Sequence, residues 1–454
     1  MTFLRSTSRI VLLCIPMLAL GGVGCVHDQA AAEQGALDAE PTRFMVSVYN
    51  LAQPLPFFTS GSFDTPEGAE APGPLLPGER YSVDFHAPPG TRLSFATMFV
   101  PSNDLFFAPA DAGIELFDAS GQAVSGDLSE RVYIWDAGTE ADEALGLGEQ
   151  QAPQQATPGS GEADPDARVR LASETYPDLP PASDLIAVTL EASEGNAFRL
   201  TIENISTDAS LELDEGQTRA VPLAPGVFVV HSEPGAHFVE GEDARAEGLE
   251  ALAEDGDPSA LAPLLAAESG VVSPLAPGMF LVHEPGEGIF VAGEPDAGLG
   301  LESLAEDGDP TQLWDSFASA NAGVFGGVYG DDLLPLQPGG FFAIEFDARP
   351  GELLSVVSMF AQSNDIFLSS GPEGIELFDA AGEAIEGDLS ANALSLWDAG
   401  TELNEAPGAG PHQAPRQSGP NVGPEGGGVV RPVDDAFAYP APEQLVRVRV
   451  DVLE

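Results

Sequence analysis

Hydrophobic and polar positions alternate with a period of two along several stretches of the chain. Phe44, Val46 and Val48 interleave with Met45, Ser47 and Tyr49, and Tyr81, Val83 and Phe85 with Ser82, Asp84 and His86. Phe198, Leu200 and Ile202 alternate with Arg199, Thr201 and Glu203; near the end, charged residues separate Val446, Val448, Val450 and Val452. Successive side chains of a strand point to opposite faces, so each run predicts a half-buried strand. With Pro/Gly turns between them, such runs predict an all-β protein of antiparallel β-sandwich domains. Helix is confined to short pieces. GLEALAEDGDPSALAPLLAA (248–267) predicts a turn or two, a break at Gly256 and a second short helix, capped by Asp257 and started by Pro258. The Gly- and Pro-rich stretches 59–78, 144–166 and 404–432 read as loops.

Repeats set the expected organisation. SNDLFFAPADAGIELFDASGQAVSGDLS (102–129) matches SNDIFLSSGPEGIELFDAAGEAIEGDLS (363–390), and each copy then reaches WDAGTE, at 135–140 and 397–402. A shorter repeat of about 52 residues pairs VPLAPGVFVVHSEPG (221–235) with SPLAPGMFLVHEPG (273–286), and LAEDGDP (252–258) with its copy at 304–310. A boundary near residue 193 divides the chain into a first domain, 41–193, without the PLAPG/LAEDGDP segment, and a second, 194–454, carrying it twice over about 213–316. Either the first domain folds without that element or the spare copy docks onto it.

Charge narrows the partners. Sixteen basic residues, all arginine, face 73 acidic ones, for a net charge of −57. Such a surface repels nucleic acid and anionic headgroups and attracts cations. Arg5 and Arg9 precede an apolar run from Ile10 to Val23, too short to span a bilayer, which reads as a signal peptide over 1–25. Gly22-Val23-Gly24-Cys25 resembles a bacterial lipobox, although the usual leucine is absent; Cys25 is then the lipidated residue. The expectation is an exported protein, either an outer-membrane lipoprotein or secreted, touching membrane only through that anchor. Cys14 is the only other cysteine, so the mature chain has no internal disulfide.

In order, the motifs are a strand ending in Asn-Leu or Asn-Ile, PLAPG…LAEDGDP, an LS-x-x-x-MF strand, SND-x-F, and WDAGTE before a Gln-Ala-Pro-rich tail. This order resembles the spondin N-terminal domain, over nearly the whole mature chain and in two copies. The resemblance implies a C2-like antiparallel β-sandwich with a Ca²⁺ site in loops at one end. Missing from this chain are the disulfides of animal members and, in the first copy, the PLAPG segment.

Calcium takes six to eight oxygens and tolerates irregular loops. Asp104, Asp136 and Glu140 in the first copy, and Asp365, Asp398 and Glu402 in the second, are the expected metal ligands. Gly138 and Gly400 let each loop turn sharply, and Trp135 anchors the first in apolar packing. Asn103 and Asn364 either lend an amide oxygen or stabilise a turn. The competing reading is that Asp104 and Asp136 merely cap turns by accepting backbone N–H bonds. Asp255 and Asp257 lack EF-hand spacing and read as capping residues.

No GxSxG elbow, HExxH or phosphate-cradling loop occurs. His231 and His283 read as strand-end residues, and no catalytic residue is expected. The expected function is calcium-dependent adhesion or surface recognition of an extracellular protein or glycan. The alternatives are an acidic structural envelope protein without a specific ligand and a carboxylate-dependent glycoside hydrolase.

Overall fold

The alternating runs form strands in a computed structural model that describes residues 40–453 apart from 153, 214–215, 244–247, 321–324, 331–333 and 390–392. The signal segment, with Cys14 and Cys25, lies outside the described residues. The longer strands up to the expected boundary are β1 (Thr42–Asn50), β2 (Phe57–Phe63), β3 (Arg80–His86), β4 (Arg92–Phe99), β5 (Leu105–Pro109), β6 (Val132–Asp136) and β7 (Ile186–Ser193). Beyond it come β8 (Ala197–Asn204), β9 (Leu223–His231), β10 (Leu275–His283), β11 (Phe325–Tyr329), β12 (Phe341–Ala348), β13 (Leu353–Phe360), β14 (Ile366–Ser369), β15 (Ser395–Asp398) and β16 (Val446–Leu453).

Four antiparallel sheets pack in two pairs. In the first pair, β3–β8–β7 faces β2–β9–β4–β5–β6, which the short strand Arg170–Leu171 extends beyond β6. Their inward residues share one core: Tyr81, Phe85, Phe198, Leu200 and Val188 meet Phe95, Phe107, Ile134, Phe228 and Val230. In the second, β12–β1–β16 faces β11–β10–β13–β14–β15, extended by Arg431–Pro432. There Phe44, Val46, Val48, Val448 and Val450 pack on Phe280, Val356, Phe360 and Leu368. Each such side chain taken out of water contributes about 1.5–3 kcal/mol, so the period-two pattern directly supplies both cores.

The strand pairing does not divide at residue 193. β7 and β8 form one hairpin in continuous register from Ile186↔Asn204 to Ser193↔Ala197, across that boundary. β9, from the first PLAPG copy, pairs with β2 and β4 of the first sandwich. β1 lies between β12 and β16 of the second sandwich. The first sandwich therefore comprises residues 57–270, inserted between β1 and β10 of the second. Two asparagines mark the equivalent strand ends: Asn204 Nδ2 donates to Leu75 and Val221 carbonyls, and Asn50 Nδ2 to those of Leu336 and Ser273. The two sandwiches thus use the same elements in cyclically permuted chain order, and the spare PLAPG copy completes the first.

Each PLAPG…LAEDGDP copy adds a third layer. Helices α1 (Leu249–Asp255) and α2 (Leu261–Ala267) cover the outer face of the first larger sheet; α3 (Leu301–Asp307) and α4 (Thr311–Ala320) cover its counterpart. α1 stops where expected, at Gly256, whose φ of +66° suits glycine and whose Cβ, if present, would collide with that of Ala224. Asp257 Oδ1 accepts the Ser259 N–H and so caps the turn that begins at Pro258, whereas α2 itself starts three residues later than expected, at Leu261, with Ala260 at its N-cap and no side-chain cap bond. The stretch 59–78 is not all loop, because it contains most of β2. Gly61 lets that strand run under the Phe228 ring, which a Cβ would approach to 2.7 Å.

The pairing predicts that residues 55–270 fold cooperatively as a monomer, whereas 41–193 do not, because they lack β8, β9 and both covering helices. Calorimetric melting of the two fragments checks this; a cooperatively melting 41–193 monomer would refute the interleaved assignment.

Candidate functional site

The two WDAGTE turns leave the ends of β6 and β15, and the neighbouring strand holds each in register. Leu105 pairs with Asp136 and Ile366 with Asp398, which brings the SND and WDAGTE motifs side by side. Trp135 is buried against Phe238, with ring centroids 4.9 Å apart, and donates to the Ala108 carbonyl at 3.2 Å. Trp397 meets Phe290 at the same separation. The tryptophans therefore anchor the turns beneath the helical layer, as expected of Trp135.

The acids build the turn itself. Asp136 Oδ1 accepts the Gly138 N–H at 2.7 Å, and Asp104 Oδ2 accepts those of Thr139 and Glu140 at 3.0 and 3.2 Å. In the second copy Asp398 Oδ1 accepts from Gly400 at 2.6 Å, and Asp365 Oδ2 from Thr401 and Glu402, both at 3.0 Å. Gly138 and Gly400 have φ of +65° and +70°, the left-handed conformation this turn requires. Glu140 and Glu402 reach into the Gly-rich tail, where they accept the N–H groups of Gly161 (2.5 Å) and Gly423 (2.7 Å). A Cβ on either glycine would overlap the carboxylate. Asn103 and Asn364 donate to the carbonyls of Ala141 and Leu403, so both stabilise the turn.

Two of the expected ligands differ from expectation in each facing a guanidinium, although Asp136 Oδ2 meets its arginine as an ion pair without hydrogen-bond geometry. Asp136 Oδ2 lies 2.6 Å from Arg170, a guanidinium that also pairs with Asp164 at 2.7 Å. Asp398 Oδ2 lies 2.7 Å from Arg431. In both copies the arginine sits directly across the strand pair from the aspartate. Asp136 and Asp398 are thus each paired with a guanidinium.

The remaining acids are not. Asp104 Oδ1, Glu140 Oε2 and Glu254 Oε1 are buried without a hydrogen-bond partner, and so are Asp365 Oδ1, Glu402 Oε2 and Glu306 Oε2. The same three positions recur in both sandwiches. Glu254 and Glu306 come from the LAEDGDP motifs at the ends of α1 and α3. Each hydrogen-bonds the turn threonine, Thr139 or Thr401, and feels the charge of Glu140 and Asp104 or of Glu402 and Asp365. Among the described residues, no three or more His, Cys, Asp or Glu side chains stand grouped as a ready-made metal cage.

Burial sets the protonation of these acids. It is the leading cause that raises Asp104 and Glu140, and that raises Asp136, which Asp104 then repels further. Asp365 rises to about 7, through burial and then repulsion by Asp398; Glu402 is also raised by burial. Burial pushes Glu254 and Glu306 up to about 8 against the pull of their threonine hydrogen bonds.

The histidine reading also has its geometry. His231 Nε2 meets Ser94 Oγ and His283 Nε2 meets Ser355 Oγ, both at 2.8 Å, while each Nδ1 meets a backbone carbonyl. His283 borders a cavity of about 630 Å³ lined by Phe290, Leu301 and Leu313. Ser355 is 1% exposed, and both nitrogens of each imidazole are engaged by a serine hydroxyl and a backbone carbonyl, so these contacts tie strand ends together.

No protein-family model matches the chain, and no curated protein matches it.

For the chelator-treated protein, acids with raised folded-state pKa values bind protons more tightly folded than unfolded. Their contribution to stability is greatest below the unfolded carboxylate range near pH 4 and is lost as pH rises towards about 8. The melting temperature should fall between pH 5 and pH 8, and fall less in an E254Q/E306Q variant. Equal slopes in a pH series of thermal melts would show that these glutamates do not titrate between those limits.

Proposed function

We propose that this chain is an exported calcium-binding protein that recognises an extracellular protein or glycan through its loop ends, built from spondin-like sandwiches and without a catalytic role. One observation carries the calcium reading: the same buried carboxylate oxygens lack a hydrogen-bond partner at both WDAGTE turns. A buried carboxylate oxygen without a donor costs free energy unless a proton or cation meets it. Asp104 and Glu140, and likewise Asp365 and Glu402, have the hard oxygen donors that Ca²⁺ takes. Bound there, the ion supplies charge neutralisation and rigidity. Asp136 and Asp398 enter as posts of the turn, each already paired with arginine. Binding requires the free carboxylate arms to close on the ion, which calcium's irregular coordination permits. The motif order SND-x-F then WDAGTE supports the spondin likeness, and the acidic surface suits a cation-rich exterior. The N-terminal apolar run with Cys25 supports export with lipid anchoring.

A second reading, an acidic structural envelope protein, draws on the turn-capping bonds of Asp104 and Asp136. Calcium separates the two. For a weak extracellular site with a dissociation constant of about 0.1–1 mM, calcium at ~100 times that value adds roughly 2.7 kcal/mol of stability. The melting temperature of the mature protein should rise with calcium and fall back with chelator. D104N/D365N should lose both that response and calcium-dependent attachment to matrix-coated surfaces. A thermal melt indifferent to millimolar calcium would leave the acids as turn posts and favour the structural reading.

A further inference from the structure

We infer that Glu254 and Glu306 each supply a carboxylate ligand to the divalent-cation site at the adjoining WDAGTE turn, so that the ion ties the helical layer to the sandwich edge. The inference rests on the cation reading above and extends its ligand set to a motif that reads in sequence as helix capping.

The other acids of LAEDGDP are committed elsewhere. Asp255 Oδ1 accepts from Gln155 Nε2 at 2.6 Å and Asp307 Oδ1 from Gln417 Nε2 at 2.9 Å. Asp257 and Asp309 accept the N–H groups of Ser259 and Thr311, both at 2.9 Å. Glu254 and Glu306 differ: each residue is 2% exposed and keeps one carboxylate oxygen without a partner. Packing alone favours an apolar residue at such a place.

Their direction is fixed by the turn threonine. Thr139 donates its N–H to Asp104 Oδ2 at 3.0 Å, and its side chain hydrogen-bonds Glu254. Thr401 joins Asp365 and Glu306 in the same way. Asp104 and Glu254, or Asp365 and Glu306, are therefore joined through one threonine, and each carboxylate keeps one oxygen without a partner.

The arrangement recurs under opposite chain order. Glu254 follows its WDAGTE turn in the sequence, whereas Glu306 precedes its own. The permuted fold brings each repeat copy to the same place beside its turn. All the donors are carboxylate oxygens, which fits a hard divalent cation such as Ca²⁺ better than a thiolate- or imidazole-seeking metal.

The test is calorimetric titration of CaCl₂ into the mature full chain, its E254Q/E306Q variant and its D104N/D365N variant. The wild type should take up two ions. E254Q/E306Q should bind at least about tenfold more weakly, since affinity follows the number of charged ligands. Unchanged affinity in E254Q/E306Q, with binding lost in D104N/D365N, would overturn the glutamate ligands and leave the cation reading intact. Absence of heat from the wild type would overturn both. If the double variant melts at lower temperature, E306Q alone decides the matter: one of the two sites should weaken, and two unchanged sites would refute the inference.

Discussion

Carboxylates buried at a sheet edge are the constraint around which each sandwich end is arranged. An ionised carboxylate held away from water needs a donor, a counter-charge or a proton. The chain meets that need in graded ways. Asp136 and Asp398 receive a guanidinium and a backbone N–H each. Asp104 and Asp365 give one oxygen to two backbone amides, which fixes the turn, and leave the other bare. Glu140 and Glu402 accept one tail N–H, and Glu254 and Glu306 a threonine hydroxyl. The acids come from SND, WDAGTE and the helical layer and their donors from the turn, the Gly-rich tail and the arginine strand, so together they tie these stretches to one another.

Interleaving of the chain makes each sandwich draw on elements from both sides of residue 193. The first turn is completed by Glu254, which arrives only after β8 and β9 have joined the sheets of the first sandwich. The second sandwich needs β1, made before the entire first sandwich. Divided at residue 193, the first part lacks Glu254 of the first site, and the second part lacks β1 of the second sandwich. The chain crosses between sandwiches twice, after β1 and before β10. Asn196 at the β7–β8 turn adds a bond across the junction, to the Ala409 carbonyl at 2.7 Å.

Much of this is legible in the sequence, and the remainder fails for identifiable reasons. Period-two alternation located β1, β3, β8 and β16 with their inward faces, because burial on one side of a strand forces that pattern. The break at Gly256 was readable because a left-handed residue ends a helix. β2 was hidden by its Thr-Ser-Gly-Ser centre, which suits a strand only because Phe228 lies over Gly61. The boundary at 193 was misplaced because repeats report copies of elements and not which copy pairs with which. Asp136 and Asp398 looked like free ligands because their counterions lie across a strand pair, beyond a long tail. Arg170 and Arg431 follow that tail at corresponding places in a chain with only 16 arginines, and that was the available signal. Glu254 was overlooked because the flanking aspartates of LAEDGDP matched a familiar capping pattern.

The arginines also bear on why bare carboxylates remain. With one guanidinium against Asp136, Asp142 and Asp164, the cluster around Arg170 is already acid-rich before Asp104, Glu140 and Glu254 are added. A second arginine in each loop would neutralise the rest and make the turn permanently rigid. Left unpaired, these oxygens keep a free-energy cost that a proton or a cation would relieve. A chain that only needed a stable edge would gain by replacing Glu254 with an apolar residue, as burial of unpaired acid is a net cost. Both sandwiches carry glutamate at this place, so each edge bears the same uncompensated cost rather than one sandwich holding an isolated packing fault.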